Sequence, residues 1–256
     1  MEVTKEVEAT YATPRERAAR TEQVICEVPL MIVVNGKEVA TLHCTPTSLE
    51  YLAVGFLLSE GVLTRREDVK QTIVADKGSH IRIDVVANVE METLVRHRLI
   101  GSAGVSFYQR TGEEAVPRAN SQFQVSISKV LSLMRHFQTK SCLYSKTRGN
   151  HSCALCNADG TIIVFAEDIG RHNAVDKVIG ECVLRGVSLE DKILATSGRI
   201  SAEIVNKIAK WKIPVITSFG APTSLALDLA RNFGLTVIGF AQEHQAVIYT
   251  NAERVA

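Results

Sequence analysis

The chain has 256 residues, 46% of them hydrophobic, and carries 29 Lys and Arg against 28 Asp and Glu, a formal net charge of +1. That length allows one large domain or two smaller ones with a buried core. Because the charges are balanced, there is no broad positive electrostatic field that would attract nucleic acid or an anionic bilayer. No apolar run approaches the roughly 18 residues of a membrane span. Composition therefore predicts a soluble protein with neither nucleic acid nor membrane as its partner, and the polar residues 1–20 predict a cytoplasmic location.

The first half of the chain predicts a smaller α+β domain over residues 23–120, after a flexible tail of residues 1–22. Strands are expected at 24–34 and 39–44, joined by Asn35-Gly36, which is a strong hairpin signal. Thr45 and Pro46 predict a helix start, followed by apolar residues at helical spacing up to Gly61. Two further strands (73–75 and 81–86), a short helix (90–98) and a long loop (101–120) complete this prediction.

The second half, residues 121–256, alternates between strand and helix patterns. Strands are expected near 152–156, 161–166, 192–196, 213–217 and 235–240, and helices over 126–138, 174–184, 202–211 and 223–232. Such an order predicts an α/β domain with a largely parallel sheet covered by helices.

Three segments follow predicted strands and precede predicted helices. The first carries Arg171 and His172, with Asn173 as an expected helix cap; the second is Ser197-Gly198-Arg199; the third runs over residues 218–224. Ligands of open α/β sheets bind at the carboxyl ends of the strands, where helix N-termini attract anions. The pattern predicts a phosphorylated ligand, with Phe219 available to stack on a base. The alternative is that these segments are ordinary capped helix starts.

Cys153 and Cys156 form the one close cysteine pair, beside His151. This spacing fits half a zinc site, a redox dithiol, or a nucleophile with a resolving partner. A zinc deaminase would need a Glu two residues after the histidine and a Pro before the first cysteine, and neither is present, so no metal site is predicted. In a strand the two thiols point to opposite faces, which favours the alternative of packed core cysteines. The same packing role is expected for Cys26, Cys44 and Cys182.

The run Glu167-Asp168-Ile169-Gly170-Arg171-His172-Asn173-Ala174-Val175-Asp176-Lys177, with Ser197-Gly198-Arg199 and Ala221-Pro222-Thr223-Ser224-Leu225-Ala226, resembles the FdhD family of formate dehydrogenase accessory sulfurtransferases. The first half agrees in Glu27-Val28-Pro29-Leu30, Asn35-Gly36, Thr45-Pro46 and the run from Leu52 to Gly61. The resemblance covers residues 24 to 250.

The resemblance implies a cytidine-deaminase-like, three-layer α/β C-terminal domain and a homodimer. It also implies sulfur transfer, as a cysteine persulfide, from a cysteine desulfurase to bis-molybdopterin guanine dinucleotide before this cofactor enters formate dehydrogenase. GDP would then be a surrogate ligand. The implied cofactor contacts are His151, Arg171, His172, Asn173, Asp176, Ser197, Gly198, Arg199, Ser218, Ala221, Pro222, Thr223, Phe240, Ala241, Gln242, Glu243, His244 and Gln245.

One departure concerns the sulfur-carrying cysteine itself. The family commonly places it in the loop before the second domain, and the corresponding residues 100–107 contain no cysteine. Either another thiol carries the sulfur, with Cys153 or Cys156 favoured and Cys142 as an alternative, or the chain is a non-catalytic chaperone that only binds the cofactor. A metal-dependent nucleotide hydrolase or deaminase on the same fold is a third hypothesis.

Overall fold

The computed structural model describes residues 1–78, 80–89, 98–101, 104–107, 119 and 122–256. The helices are α1 (Leu49–Ser59), α2 (Ile127–Lys140), α3 (Cys142–Thr147), α4 (Arg171–Arg185), α5 (Ala202–Lys210) and α6 (Ser224–Phe233). The strands are β1 (Thr4–Ala12), β2 (Arg17–Ile25), β3 (Val28–Val34), β4 (Lys37–Cys44), β5 (Val69–Asp76), β6 (Ile81–Ala87), β7 (Arg98–Gly101), β8 (Gly104–Phe107), β9 (His151–Cys156), β10 (Ile162–Asp168), β11 (Ile193–Thr196), β12 (Val215–Ser218), β13 (Thr236–Gly239) and β14 (Val247–Ile248). None of the helices in the described part of the chain is long and apolar enough to cross a membrane.

The N-terminal segment is a two-stranded antiparallel hairpin of β1 and β2. The Thr13 hydroxyl closes its turn by accepting hydrogen bonds from the amides of Arg15 and Glu16, at 3.3 and 3.0 Å. Farther along the ribbon, the Arg20 guanidinium lies 3.9 Å from the centre of the Tyr11 ring. Residues 1–22, predicted as a flexible tail, thus form most of a regular hairpin, in which contacts such as that of Arg20 with Tyr11 stabilise strands whose individual apolar patterns are weak.

The next sheet has the strand order β4-β3-β6-β5, with β3 and β6 parallel and the other pairs antiparallel. Asn35 and Gly36 both have positive φ (48° and 81°), which confirms the predicted tight turn between β3 and β4. Residues 90–97 of the helix predicted near 90–98 lie outside the described part of the chain, so this helix stays a prediction. Most of the predicted loop 101–120 also lies outside it, although β7 and β8 pair as a hairpin within that region.

Helix α1 begins later than predicted, at Leu49. Thr45 does not cap it, because the Thr45 hydroxyl accepts a hydrogen bond from the Ile169 amide (3.1 Å) and the Thr45 amide donates to Asp168 Oδ2 (3.1 Å). The cap signal in the sequence marks a contact with the second half of the chain instead.

The C-terminal sheet has six strands in the order β10-β9-β11-β12-β13-β14. Only β11, β12 and β13 pair in parallel, so the predicted largely parallel sheet is in fact mixed. The physical reason is the connections: helices α5 and α6 provide the long crossovers that parallel strands need, whereas short turns join β9 to β10 and β13 to β14.

Helices cover both faces of this six-stranded sheet. Helix α2 packs on one face through Val130, Leu133, Met134 and Phe137, against residues such as Cys156 and Ile193. Helices α4, α5 and α6 cover the other face. The resulting three layers agree with the predicted layering, and the more specific cytidine-deaminase-like arrangement stays a prediction.

The two halves of the chain share a single core. Leu30 and Ile83 of the first sheet and Leu52 and Leu57 of α1 belong to the same buried cluster as Val175 and Ile179 of α4. Helices α1 and α4 also meet backbone to backbone. A Cβ added to Gly55 would lie 1.8 Å from the Asp176 carbonyl oxygen, and one on Gly180 would lie 2.0 Å from the Tyr51 carbonyl oxygen.

Candidate functional site

The predicted binding segments meet at one edge of the six-stranded sheet. Strands β10, β11, β12 and β13 end at this edge, and β9, which runs in the opposite direction, begins there at His151. The sequence-based expectation that these segments converge is therefore confirmed by the strand directions.

Glycines allow the segments to stack directly on each other. A Cβ on Gly198 would lie 2.9 Å from the Arg171 Cβ, and one on Gly220 would lie 3.0 Å from the Gly198 carbonyl oxygen. One on Gly239 would lie 3.1 Å from the Gly220 carbonyl oxygen. Larger residues would push the segments apart, so the edge forms one continuous surface of closely spaced backbone.

Serine hydroxyls hold this surface together. The Ser218 hydroxyl, fully buried, donates to the Gly198 carbonyl oxygen at 2.6 Å and accepts from the Gly220 amide at 3.0 Å. Ser197 Oγ accepts from the Ser152 amide at 3.0 Å and lies 3.2 Å from His151 Nδ1. Both serines were predicted ligand contacts. Because the Ser218 hydroxyl is buried and bonded to two neighbouring segments, it has a structural role, and its assignment as a direct ligand contact is corrected.

Two arginines lie at the N-terminal ends of adjacent helices. Arg171 is the first residue of α4 and is half-buried against Gly198, while Arg199 is exposed in the segment before α5. Burial lowers the pKa of the Arg171 guanidinium, and repulsion by Arg199 lowers it further. Guanidiniums and helix N-termini are groups that commonly bind anions in proteins, and here two of each lie at the same edge.

His172 is held in its neutral form. Burial lowers its pKa to about 3, with further contributions from Lys207, Arg171 and His151. Its Nε2 lies 3.3 Å from Glu203 Oε2 in the first turn of α5. Glu203 is not among the residues predicted from the sequence for this site. Its position about one helical turn after Ser197-Gly198-Arg199 could have indicated that it lies near this segment.

Asn173 and Asp176, both predicted contacts of the cofactor, have structural roles. Helix α4 already begins at Arg171, so Asn173 lies inside its first turn, and its side-chain amide donates to Asp168 Oδ1 (2.8 Å) and the His43 carbonyl oxygen (2.9 Å). Asp176 is only 1% exposed. Its carboxylate accepts from the Ser59 hydroxyl at 2.6 Å and pairs with Lys207 at 2.5 Å. Both side chains fasten α4 to its neighbours. The Asp176 carboxylate is enclosed by these partners, which argues against a direct ligand contact, whereas Asn173 is half-buried and its contact with the cofactor stays a prediction.

The third segment and the end of β13 provide the outer part of the edge. Thr223 caps α6 through the Ala226 amide at 3.4 Å, and the Ala221 carbonyl accepts from the Ile200 amide at 3.1 Å, so both take part in holding the loop. Pro222 and Gly239 are in close contact, with the Pro222 Cδ 3.2 Å from where a Gly239 Cβ would lie.

The aromatic residue available for stacking is Phe240 and not Phe219. Phe219 packs against Phe137 with ring centres 6.0 Å apart, so it belongs to the core below the edge. Phe240 is 44% exposed and adopts a positive φ of 49°. After it, Ala241 is buried, whereas Gln242, Glu243, His244 and Gln245 are exposed in a turn closed by the Gln242 amide and the Gln245 carbonyl at 2.8 Å.

The cysteine pair does not reach the surface. Cys153 and Cys156 are both 0% exposed and point into the two different core clusters, which confirms the predicted opposite orientation. Burial raises the pKa of the Cys153 thiol and raises that of Cys156 to about 12. A sulfur carrier needs an accessible thiolate, so the assignment of these two residues as catalytic is corrected.

The remaining cysteines differ in exposure. Cys44 and Cys182 are buried as predicted, and Cys26 is half-buried. Cys142 is exposed at the start of α3. The preceding residue, Ser141, is hydrogen-bonded to Ser152 (3.1 Å), next to His151. Within the described residues, no three His, Cys, Asp or Glu side chains come together in a way that could hold a metal ion.

Comparison with known proteins agrees with this architecture. The chain is 36% identical to the sulfur carrier protein FdhD of Bacillus subtilis (strain 168), over 91% of this chain and 90% of that protein. It is 38% identical to the sulfur carrier protein FdhD of Staphylococcus aureus (strain MRSA252), over 92% and 90%. A crystal structure described as a formate dehydrogenase accessory protein from Desulfotalea psychrophila covers all of both chains with a TM-score of 0.82 and 27% sequence identity. The model of the FdhD/NarQ family matches residues 25–256. The chain therefore belongs to the FdhD/NarQ family.

Proposed function

We propose that this chain binds bis-molybdopterin guanine dinucleotide at the sheet edge described above and serves the maturation of formate dehydrogenase as a sulfur carrier. The observation that carries the binding proposal is that Arg171, the first residue of α4, packs against Gly198, whose neighbour Arg199 lies exposed just before α5. The names of the relatives, sulfur carrier protein and formate dehydrogenase accessory protein, support the biological role.

The residues of the edge fit the parts of such a cofactor. Guanidiniums and helix N-termini bind diphosphate oxygens. Gly198 and Gly220 let the segments that carry Arg171 and Arg199 pack closely together, because a Cβ at either position would meet a neighbouring segment. The exposed Phe240 ring would stack on guanine. The cofactor supplies the metal chemistry when bound, whereas the protein residues bind and orient it.

Sulfur transfer needs a thiol that two partners can reach in turn. Of the six cysteines, which all lie in the described part of the chain, only Cys142 is exposed. The proposed sequence of events is persulfide formation on Cys142 by a cysteine desulfurase, followed by transfer to the cofactor at the neighbouring edge. A homodimer in the cytoplasm, with a cytidine-deaminase-like C-terminal domain, is part of this proposal.

The second candidate is a cofactor chaperone without sulfur chemistry. It is favoured by the absence of cysteine from residues 100–107 and by the burial of Cys153 and Cys156. Both candidates share the cofactor site and differ only in whether a persulfide forms.

Mass spectrometry of the protein after incubation with a cysteine desulfurase and cysteine separates the two candidates. An added sulfur atom on Cys142, lost in Cys142→Ala and kept in Cys26→Ala, is the result expected for a sulfur carrier. A protein that binds guanine nucleotide and gains no sulfur is a chaperone.

Calorimetry with GDP tests the binding site itself. Arg171→Ala and Arg199→Ala should each weaken GDP binding by about 2 kcal/mol, which is typical of a lost charge-assisted contact. Arg185→Ala, in the last turn of α4, is the matched control and should bind as the unmodified protein does. Equal affinity in all variants would remove the two arginines from the site.

A further inference from the structure

His151 and Ser197 form a pair whose hydrogen bond can run in either direction. His151 Nδ1 lies 3.2 Å from Ser197 Oγ, and the same oxygen accepts the Ser152 amide at 3.0 Å. A hydroxyl has one proton to donate and two lone pairs to accept with. Ser197 therefore has one lone pair and one proton left for the two remaining partners, which are His151 and whatever lies at the edge.

With neutral His151, the serine proton can donate to Nδ1, and the hydroxyl then has no proton to offer a ligand. With protonated His151, Nδ1 carries a proton and donates to Ser197 Oγ, so the serine proton becomes available for a ligand oxygen. Protonation of His151 thus adds a positive charge and, through Ser197, a hydrogen-bond donor to the same edge.

The surroundings of His151 favour its neutral form in the ligand-free protein. Burial lowers its pKa, Arg171 lowers it further, and Asp168 acts in the opposite direction. The Asp168 charge is compensated by Lys177 at 2.7 Å. The other ionisable groups around His151 and its neighbour His172 are Glu167 at the end of β10, Arg199 before α5, and Glu203 and Lys207 on α5.

These groups are engaged in different ways. Lys207 pairs with Asp176 at 2.5 Å, and Glu203 lies beside His172 at 3.3 Å. Glu167 accepts hydrogen bonds from Ser141 and Asn150. A bound diphosphate would place negative charge directly against Arg171 and Arg199, which removes the repulsion that Arg171 exerts on a protonated imidazole.

We propose that His151 takes up one proton from solvent when a diphosphate group binds at this edge, so that binding is coupled to protonation. Protonated His151 donates to Ser197 Oγ, and the Ser197 hydroxyl then donates its own proton to the ligand. This inference rests on the proposed function, because it assumes that the edge binds the diphosphate of a guanine nucleotide. His151 is then a positioning residue that acts on the phosphate through Ser197, and its charge depends on whether the phosphate is bound. The proton on Nδ1 replaces the one that Ser197 then donates to a phosphate oxygen, and no bond other than hydrogen bonds changes.

The probe for the experiment is GDP-mannose. Its two phosphoryl groups are both esterified and keep a constant charge between about pH 6 and pH 8, so a proton taken up on binding belongs to the protein. Calorimetry at about pH 6.5 in PIPES and in Bis-Tris measures this uptake, because the two buffers differ in ionisation enthalpy. Guanosine, which carries no diphosphate, is the second probe and should bind without proton uptake.

The expected result is a net uptake of more than about half a proton for GDP-mannose at about pH 6.5, and an affinity that rises about five- to tenfold from pH 8 to pH 6. His151→Gln should bind with no uptake and with less than about twofold change over this range. Ser197→Ala should keep the uptake, because His151 is still present, and should bind more weakly, because the hydroxyl that donates to the phosphate and accepts from the Ser152 amide is gone. His136→Gln, at an exposed site on α2, is the control and should match the unmodified protein.

Two results would overturn the inference while leaving the proposed function standing: binding of GDP-mannose without proton uptake, or unchanged uptake in His151→Gln. NMR titration of the imidazole Cε1–H signal of His151 in the unmodified protein gives a second measurement that does not depend on any variant. A signal that titrates at the same pH with and without GDP-mannose would also overturn it. If the unmodified protein fails to bind GDP-mannose at any pH, the proposed function itself is refuted.

Discussion

Lys177 and Asp168 form an ion pair that is almost completely removed from solvent. Their side chains are 1% and 0% exposed and 2.7 Å apart. Lys177 Nζ also donates to the carbonyl oxygens of Thr45 and Glu167, at 3.2 and 3.1 Å. This pair joins the first half of the chain to the segment that leads into Arg171. Asp168 and Lys177, which belong to the family motif, therefore hold the site in place and have a structural role.

Lys177→Met should destabilise the protein by about 3–5 kcal/mol, because it leaves the Asp168 carboxylate buried without its cation. Urea unfolding measures this difference. Lys212→Met is the matched control: Lys212 pairs with Glu190 at the surface with 43% of its side chain exposed, and the change there should stay below about 1 kcal/mol. A loss of less than 1 kcal/mol in Lys177→Met would contradict the structural role.

His172 should make the stability of the protein depend on pH. Burial, Lys207 and Arg171 lower its folded-state pKa to about 3, whereas the unfolded chain has the usual value of about 6.5. The unfolded state therefore binds the proton more tightly, and the stabilisation is complete above about pH 6.5 and lost as the pH falls toward 3.

At about pH 5 the loss from this group should be about 2 kcal/mol relative to pH 7. Urea unfolding at both pH values compares the unmodified protein with His172→Gln, which has no group to titrate at this position. The difference in stability between the two pH values should be smaller by that amount in the variant. Parallel pH dependence of the two proteins would show that His172 is not the responsible group.

Among the elements, the crossing of α1 and α4 determines how the two halves fit. Gly55 and Gly180 allow the helix backbones to touch, and the surrounding Leu52, Val175 and Ile179 are fully buried. Neither helix tolerates a side chain at the crossing, because the nearest atoms are backbone carbonyls that cannot rotate away.

Gly55→Ala and Gly180→Ala should each destabilise the protein by about 3 kcal/mol or more, since the helices must separate to admit a methyl group. This loss would appear despite the gain of about 1 kcal/mol that alanine brings to a helix interior. Thermal or urea unfolding checks the prediction, with Arg185→Ala in the exposed last turn of α4 as control. Unchanged stability in both glycine variants would mean that the crossing is looser than described.

At the scale of the whole molecule, one buried cluster runs from the first sheet through α1 and α4 to the face of the second sheet. Removing either half would expose the apolar surface of the other. The site depends on this arrangement, because Thr45 and His43 of the first half hold Asp168 and Asn173 next to Arg171.

The chain should therefore unfold as one cooperative unit. The fluorescence of Trp211, the single tryptophan, reports on the second half, and far-UV circular dichroism reports on both. The two signals should change at the same urea concentration. Separate transitions, or an independently folded fragment of residues 122–256, would contradict a shared core.

Most elements of the second half could be predicted from the sequence, because each helix has a regular apolar stripe and each central strand is a short apolar run. The first half was harder to predict. The β1–β2 hairpin depends on pairs such as Arg20 with Tyr11 that are distant in sequence, and the start of α1 was misplaced because Thr45 bonds to Ile169 in place of the helix.

Sequence patterns alone predict the family, the order of the longer strands and helices of residues 122–256, and the convergence of the segments around Arg171, Arg199 and Gly220 on one edge, but they miss α3 and β14. These features follow from local patterns and from the rule that strand ends bearing helices share an edge. Which side chains remain available for chemistry depends on the three-dimensional packing. Asp176, Cys153 and Cys156 are enclosed, while Phe240 and Cys142 are exposed. Burial depends on which distant elements pack over a residue, so it is a property of the complete fold and cannot be read from the residue and its neighbours in sequence.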